Sequence, residues 1–504
     1  MSRSRILTSS LTVGAAALVV IHLAGCKVGP DYQRPAIESP ANFRDAQTSA
    51  SNVSFADLPW WEVFDDPALQ SLVREALANN FDLRIAISRI EQAAAVEAAT
   101  VSALYPQVGY NGALSNGRNA FVGTPSPNNG NTQSSALATL NVAWEVDLWG
   151  RIRRADEAAL ARMLEAEETR RGVMLSLVTS VARAYFELLD LDLEIQIANE
   201  NVKSFSDSLD LFTRRSTGGV DSKLQVFRAQ ANLSQVASTI PEIQRLIALK
   251  ENEISLLLGR DPGPIARGKA FLDQKFPVEI PSGIPSSLLE RRPDIRAAEQ
   301  RMIAANAEIG VATANYYPQI GLTAFMGKVS PELSAFSGGA SNSWAVAASV
   351  AGPIFTAGRT KAEVDRAVAA ANEARIQYER VIKSAFGEVA STLVSRQKFA
   401  DAEVQLDQQV TALEASVRMS KERYDIGRAS YFEILDAQQQ LFPAQIAFAR
   451  TKLNQSVSII QLYSSLGGGW NLPTGQWNRD STPGANPPSP PPPFHGHPVG
   501  SPQG

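Results

Sequence analysis

Cysteine and histidine are scarce in this chain of 504 residues. Cys26 is the single cysteine, and two of the three histidines, His495 and His497, lie in a proline-rich stretch near the C-terminus. One cysteine cannot form an internal disulfide, and no GxSxG or P-loop pattern supplies a nucleophile or a phosphate cradle. Carboxylates are plentiful, but the sequence singles out no pair of them. It predicts no enzyme, no cofactor and no metal site.

An excess of charge of one sign is also missing. Lys and Arg together number 47 against 51 Asp and Glu, which gives a formal net charge of -4, and 44% of the residues are hydrophobic. The chain has enough apolar residues for a sizeable core, and it lacks the positive balance that binds phosphate backbones. We therefore predict no nucleic-acid partner.

Long hydrophobic runs are absent beyond the N-terminal region. Arg3 and Arg5 precede an apolar stretch from Leu11 to Ile21, and a Leu-Ala-Gly-Cys motif ends at Cys26. The stretch is too short to span a bilayer and has the organisation of an export signal. The motif resembles a bacterial lipoprotein signal, which implies cleavage before Cys26 and acylation of that residue, with palmitate among the acyl groups. By the same resemblance Lys27, in place of Asp, favours sorting to the outer membrane.

One unit occurs twice in the sequence. Gly358-Arg359 follows Gly150-Arg151 by 208 positions, and the same lag separates three further pairs of landmarks. These pairs are Gly219 and Gly427, Ala229-Gln230 and Ala437-Gln438, and Leu258-Gly259 and Leu466-Gly467. Upstream, Tyr105-Pro106-Gln107 matches Tyr317-Pro318-Gln319 at a lag of 212. Equal spacing predicts elements of equal length in both copies, with the four-residue difference in a hairpin loop.

Strands of transmembrane type are predicted near the start of each copy. From Leu140 to Leu148 apolar and polar residues alternate, which gives a strand one apolar and one polar face. Equivalent strands are predicted at 319–328 and 343–355. Trp144, Trp149 and Trp344 are candidates for the membrane interfaces. A soluble half-buried sheet shows the same local pattern, so that alternative stays open here.

Long helices follow the strands. Proline is absent from 155–215, and apolar residues there repeat at steps of three and four, the pattern of a coiled coil about 90 Å long. A copy is predicted at 361–423. Both end in glycine-containing turns, and returning helices at 222–258 and 431–466 are each interrupted by a proline, Pro241 and Pro443. Shorter helices are predicted at 69–102 and 285–314.

Six segments summarise the predicted organisation. They are a signal peptide (1–25), a lipid-anchored extended segment (26–68), a first repeat (69–259), a connecting linker (260–284), a second repeat (285–467) and a disordered Pro-rich tail (468–504).

Four sequence blocks carry a family resemblance. They are VGPDYQRP after Cys26, WWEVFDDPALQSLVREAL from Trp60, LLERRPDIRAAEQRMIAANAEIGVATANYYPQIGLT from Leu288, and RYDIGRASYFEILDAQQQL from Arg423. They resemble the TolC-type outer-membrane efflux proteins, in the lipoprotein branch that serves resistance-nodulation-division pumps. The resemblance implies an α+β membrane protein, with long coiled-coil helices forming a periplasmic tunnel and four strands per chain in a twelve-stranded homotrimeric barrel. It also implies that the protein lies in the bacterial outer membrane, in contact with its lipid. The implied partners are an inner-membrane pump and a periplasmic adaptor (membrane fusion) protein.

By the same resemblance, the tunnel closes at the helix turns. Phe432 and Asp436 occupy the constricting positions, and Glu433 adds an acidic ring that favours cations over anions. Tyr424, just before the second turn, completes this group. The alternative is that helix-start acids only complement the helix dipole, by about 0.3 to 1 kcal/mol each.

The first repeat differs at these positions. Leu224, Gln225 and Arg228 stand 208 residues before Phe432, Glu433 and Asp436, so no acid is repeated. Members of the family often carry an acid at or just beyond the position of Leu224. Because this chain departs from that pattern, a gate bond between the two repeats at this point is in doubt. Our hypothesis is that Arg228, Arg428 or Lys223 pairs with Glu433 or Asp436 in the closed state.

A second function class fits the same anchor and coiled coil. A non-conducting periplasmic tether or adaptor lipoprotein would share both features, but it would lack transmembrane strands.

Overall fold

A computed structural model describes residues 27–44, 54–118, 132–276, 283, 285–330, 336, 338, 341–472 and 477. Cys26, the signal peptide and the two tail histidines lie outside these ranges, and so do the predictions made for them.

Helices dominate the described chain, and four strands interrupt them in two pairs. In chain order the elements are α1 (Pro67–Asn79), α2 (Phe81–Ser102), β1 (Gln107–Arg118), β2 (Thr132–Val146), α3 (Arg151–Thr217), α4 (Lys223–Ala237), α5 (Thr239–Leu257), α6 (Pro293–Ala314), β3 (Gln319–Ser330), β4 (Asn342–Ala351), α7 (Arg359–Asp425) and α8 (Tyr431–Ser465). Short helical turns at Phe55–Asp57, Trp60–Val63, Phe271–Asp273, Pro285–Ser287 and Leu288–Arg291 complete the set.

The 208-residue lag recurs in the bounds of the long helices. α3 and α7 each have 67 residues, and Arg359 and Asp425 stand 208 positions after Arg151 and Thr217. α8 likewise begins and ends 208 positions after the start of α4 and the end of α5. At 1.5 Å per residue, each 67-residue helix is about 100 Å long. The predicted long helices are confirmed, each extended by a few residues at both ends.

Two predicted helices are each divided in two. Asn80 adopts extended backbone between α1 and α2, and its side chain caps α2 by accepting a hydrogen bond from the Leu83 amide at 3.1 Å. The first returning helix divides at Ser238, three residues before Pro241, so the predicted interruption of this helix is confirmed. With the break there, Pro241 falls in the first turn of α5, where a missing N–H costs no helical hydrogen bond. Pro443 lies inside α8, which continues through it, so the interruption predicted there was wrong.

The four strands form one antiparallel sheet in the order β1-β2-β3-β4. The predicted strands are confirmed with shifted bounds, β2 beginning earlier and β4 ending earlier than expected. The two copies of the hairpin differ in strand length as well as in loop length.

Two compact units divide the chain, and each takes segments from both repeats. The first comprises 1–40, 85–172 and 288–387, and the second comprises 41–84, 173–287 and 388–504, within the described ranges. In the first unit, alanines of α3 and α6 pack closely, with Ala158, Ala161, Ala304 and Ala307 all buried. Small side chains let these two helices approach each other.

Among the described residues, one helix has the length and composition of a membrane span. α3 contains an 18-residue stretch with a mean hydropathy of 1.3, and 61% of that stretch is buried inside the protein. The expectation that no such run occurs beyond the N-terminal region was therefore wrong. The burial of this stretch of α3 is typical of a helix in a protein core.

The connecting linker and the start of the tail are packed in the second unit. Ile265 and Phe271 of the linker are buried, and Arg267 contacts Asp192 at 2.9 Å. Trp477 is buried, and its carbonyl accepts a hydrogen bond from the Trp60 indole at 3.3 Å. The predicted disordered tail from residue 468 therefore includes ordered positions.

A buried carboxylate organises this region. Asp66 is fully buried and accepts hydrogen bonds from Gln274 at 2.7 Å, Tyr185 at 3.0 Å and the backbone amides of Ala68 and Lys269. Gly268 lies so close that a Cβ there would meet the Asp66 carboxylate at 2.1 Å. Burial alone opposes ionisation, but the hydrogen bonds, led by that of Gln274, together lower the pKa of Asp66.

Replacing Asp66 tests this network. We expect Asp66→Asn to lower the free energy of unfolding by about 2–4 kcal/mol at pH 7, because four hydrogen-bond donors lose a charged acceptor. A depressed pKa stabilises the fold above the ordinary value of 3.8 and loses that effect as pH falls through the folded value. Thermal unfolding of the purified protein should therefore show a constant deficit from pH 7 to about 4 and a shrinking one below. Asp65→Asn, at an exposed neighbour, is the control, and an equal loss in both variants would contradict the assignment.

Candidate functional site

One face of the sheet is apolar and exposed. Residues directly paired across antiparallel strands share a face, so the register defines rows of side chains. Two adjacent rows on this face are Val108, Val142, Ala324 and Val346, and Tyr110, Leu140, Met326 and Trp344. Tyr110 is 88% exposed and Trp344 and Val346 are each 74% exposed. Large apolar side chains facing outward along a whole sheet are the mark of a surface that contacts lipid or another chain.

The opposite face is mostly small and polar, with Leu137, Phe325 and Val329 as its larger apolar members. Its rows contain Asn111, Thr139, Gly327 and Ser343, and further along Glu145, Gly321 and Ser349. Gly327 is required there, since a Cβ would meet the Ala138 carbonyl oxygen at 2.2 Å. An apolar outer face and a small polar inner face are the two surfaces of a transmembrane barrel wall.

Both outer strands lack a second neighbour within the part of the chain that the structure describes. β1 pairs only with β2, and β4 pairs only with β3. Each therefore presents a row of unpaired backbone N–H and C=O groups along its free edge.

The three tryptophans predicted at the interfaces have different environments. Trp344 projects from the exposed apolar face, and Trp144 donates to the Leu104 carbonyl at 2.9 Å. Trp149 stacks on Tyr317 with ring centroids 4.6 Å apart and donates to the Pro318 carbonyl. Trp149 therefore joins the two hairpins where the strands meet the helices.

The segment that follows Cys26 is fastened to the first unit. The Val28 amide donates to the Trp149 carbonyl at 3.1 Å, and Lys27 contacts Glu157 at 3.3 Å. Arg154 is 1% exposed and binds Asp31 and the carbonyls of Val28 and Gly29. Lys27 is thus held beside the connection between β2 and α3.

The two helix turns belong to the second unit. Gly219 and Gly427 have φ values of 74° and 72°, and a side chain would be strained in that conformation. Beside these turns the helices enclose an apolar cluster built by both repeats. Its buried members are Phe205, Phe212, Ala229, Val236, Tyr431, Ile434 and Leu435. The rings of Phe212 and Tyr431 meet edge to face with centroids 3.9 Å apart, which ties α3 to the start of α8.

The predicted gate residues stand around this cluster. Phe432 is 62% exposed, Arg228 and Arg428 are exposed, and Asp436 accepts a hydrogen bond from Gln440 of its own helix at 2.8 Å. Tyr424 packs against Tyr431 with ring centroids 5.9 Å apart, and burial raises its pKa. Within the single chain, the structure brings Tyr424 to the cluster and leaves Phe432 outside it.

Glu433 has a different partner from those in the hypothesis. It contacts Arg423 of α7 at 3.4 Å, and among the described residues no ion pair joins Glu433 or Asp436 to Arg228, Arg428 or Lys223. The lag of 208 pairs Arg423 with Arg215, which contacts Asp221 in the first turn and lies over the Tyr424 ring at 5.4 Å. Sequence reasoning missed this pair of arginines, although the fixed lag marks them as equivalent.

Two phenylalanines near the helix turns, one buried and one exposed, allow the effect of core packing on stability to be measured. Phe212 is buried, whereas Phe227 is 68% exposed. We expect Phe212→Ala to reduce the free energy of unfolding by about 3–5 kcal/mol and Phe227→Ala to change it by less than about 0.5 kcal/mol. Thermal and denaturant unfolding measure both. Equal losses would show that the cluster does not stabilise the turns.

Comparison with known proteins agrees with this geometry. The family model of the outer membrane efflux protein matches residues 72–260 and 284–468. Probable efflux pump outer membrane protein TtgC of Pseudomonas putida is 36% identical over 475 residues, which cover 92% of this chain and 97% of the relative. Cation efflux system protein CusC of Escherichia coli is 32% identical over 454 residues, covering 90% and 98%.

Solved structures give the same result. The outer-membrane channel OprN matches with a TM-score of 0.82 at 31% identity, covering 88% of this chain and 100% of that one. The open state of the Neisseria gonorrhoeae MtrE outer membrane channel matches with a TM-score of 0.80 at 30% identity, covering 88% and 99%. The predicted α+β class of long helices and barrel-forming strands is confirmed, and the tether interpretation is set aside. The chain belongs to the outer membrane efflux protein family and is a TolC-type outer-membrane efflux channel.

Proposed function

We propose that three copies of this chain form the outer-membrane duct of a tripartite efflux system. The observation that carries the proposal is the pair of free edges on β1 and β4, on a sheet whose exposed face is apolar. Unpaired backbone groups cost several kcal/mol each in hydrocarbon, so a sheet in lipid has to close on itself. Four strands are too few to do so, and identical neighbours supply matching edges.

The number of copies follows from the lumen. Two copies would give about eight strands, and the interior of such a barrel is filled by side chains. Three copies give twelve strands, and the small residues Gly321, Gly327 and Ser343 on the inner face widen the bore further. A homotrimer is thus the smallest assembly of this sheet that conducts.

The partners follow from the task of a passive duct. Relatives with 32–36% identity are named for toluene, antibiotic and cation efflux, so one channel architecture serves unlike cargoes. Selection of cargo therefore belongs to a separate protein. An inner-membrane pump of the resistance-nodulation-division class and a periplasmic adaptor protein fill that role, while outer-membrane lipid surrounds the strands.

We assign the periplasmic gate to the helix turns. Phe432, Glu433 and Asp436 of α8 form its acidic and aromatic part, and Arg228, Arg428 and Tyr424 face them. Support comes from Phe432 and Arg228, which are exposed in the single chain and available to a neighbouring copy. The Arg423–Glu433 contact holds one acid within the chain, which leaves Asp436 for the bond between copies.

Planar-bilayer recordings of the purified protein, which should migrate as a trimer until heated, test the duct and the gate. Three symmetry-related pairs of about 0.3 kcal/mol each shift the open and closed populations about fivefold. We expect Asp436→Ala and Arg228→Ala each to shift the population toward the open state by about this factor and so to raise conductance. Glu433→Gln should weaken cation preference, and Gln225→Glu, at the equivalent position of the first repeat, should strengthen it. A non-conducting monomer would overturn the duct, and unchanged conductance in both alanine variants would overturn the gate bond.

We also propose that Cys26 is lipidated. Its neighbour Lys27 is fixed beside the connection between β2 and α3, which is where transmembrane strands give way to periplasmic helices. An acyl group on the preceding residue would lie at the adjacent membrane surface. Several acyl chains at about 0.8 kcal/mol per buried CH₂ give stable attachment.

Metabolic labelling with palmitate tests this assignment. We expect Cys26→Ser to abolish incorporation of the label completely, because no other cysteine exists. Lys27→Ala, which loses the contact with Glu157 but keeps the thiol, should label as the unaltered protein does. Label retained in Cys26→Ser would exclude this site.

A further inference from the structure

A cleft in the second unit has no part in the duct or gate described above. It has a volume of about 510 Å³ and lies between α3, α5 and α8. Its apolar walls are Leu191, Leu246, Leu249 and Leu453, and its polar lining includes Glu187, Asp190, Glu194, Lys250, Glu253, Arg450 and Asn454. This volume is within the range that accommodates small organic molecules.

Negative charge predominates among the ionisable groups that face the cleft. Glu187 of α3 contacts Lys250 of α5 at 2.7 Å, and Glu194 of α3 contacts Arg450 of α8 at 2.7 Å. Lys250 also contacts Glu253. The two basic residues therefore contact three acids, and Asp190 is a fourth acid. Both cations are thus already engaged, and the remaining charge is acidic.

Asp190 lies between these two ion pairs without one of its own. Its residue is 3% exposed, and its Oδ1 atom has no hydrogen-bond partner. A buried polar group without a partner costs about 1–3 kcal/mol, and such a group calls for an explanation. Because Asp190 lines the cleft and its carboxylate lacks a full set of partners, the group is a recognition element for a cationic donor.

Protonation of Asp190 reduces the free-energy cost of burying its carboxyl group in the empty cleft. Burial raises the pKa of Asp190 to about 7, Glu194 and Glu187 add to the shift, and Arg450 opposes it. Near neutral pH the raised pKa allows the carboxyl group to take up a proton in the empty cleft. A cation that binds beside Asp190 would favour the ionised form and release the proton.

We propose that this cleft binds an amphiphilic organic monocation, with its ammonium group on the Asp190 carboxylate and its apolar body against the four leucines. An ammonium group offers three hydrogen-bond donors, which suit Asp190 and the neighbouring acids. A metal ion fits less well, because no group of three or more His, Cys, Asp or Glu in the described chain could hold one. The apolar walls likewise favour an organic ligand over a hydrated ion.

Isothermal titration of the purified channel with 4-phenylbutylamine tests the proposal. Its neutral analogue 4-phenylbutan-1-ol has the same apolar body without the charge, and we expect it to bind at least about tenfold more weakly. The amine stays charged throughout, so linkage to Asp190 predicts about tenfold weaker binding at pH 6 than at pH 8. At pH 7, titrations in two buffers of different ionisation enthalpy should report a net release of protons when the amine binds.

Variants separate the site from general binding to an acidic protein. Asp190→Asn should weaken amine binding at pH 8 at least about tenfold and remove both the pH dependence and the proton release. Asp207→Asn, at an exposed acid on the same helix, is the matched control and should bind as the unaltered protein does. Unfolding curves check that Asp190→Asn retains the fold, which the loss of a buried charge does not endanger. Equal amine binding by Asp190→Asn and the unaltered protein, or equal binding of amine and alcohol, would overturn the proposal.

Discussion

The hydrogen-bonding demand of the peptide backbone in lipid is the constraint on which this structure depends. Helices satisfy it within one segment, whereas a sheet satisfies it only when every strand has two neighbours. The four strands described here leave β1 and β4 with one neighbour each, on a sheet whose outer face carries Tyr110 and Trp344. The single chain is therefore incomplete as a membrane protein, and its completion by copies of itself produces the pore.

The repeat provides helices of equal length, and its departures provide function. Both long helices have 67 residues. At the turns, however, equivalent arginines have different partners. Arg215 contacts Asp221 of the turn itself, whereas Arg423 reaches Glu433 on the returning helix. A duplicated scaffold has thus kept its backbone while its ion pairs diverged.

Much of this architecture could be predicted from the sequence, because periodicity and repeat spacing record backbone geometry directly. The long helices, the turns at Gly219 and Gly427 and the antiparallel strands follow from such patterns. The break at Asn80 could not be predicted, since it depends on one cap, and the sequence did not show that Pro241 breaks its helix whereas Pro443 does not. The Asp66 network joins residues distant in sequence, and no local pattern records it. The Arg423–Glu433 contact and the unpartnered Asp190 depend on how the helices pack, which periodicity does not specify. The contacts between copies that would complete the gate remain proposals for the same reason.

The returning helices differ in one respect that affects their mechanics. α4 and α5 are separate helices that meet at Ser238, whereas α8 runs unbroken for 35 residues through Pro443. A break in the hydrogen-bond ladder concentrates bending at one point, and a continuous helix distributes it along its length. When the turns are displaced, bending in the first repeat is therefore concentrated at Ser238, whereas bending in the second repeat is distributed along α8. In the proposed gate, the turns of the two repeats would therefore move by unequal distances.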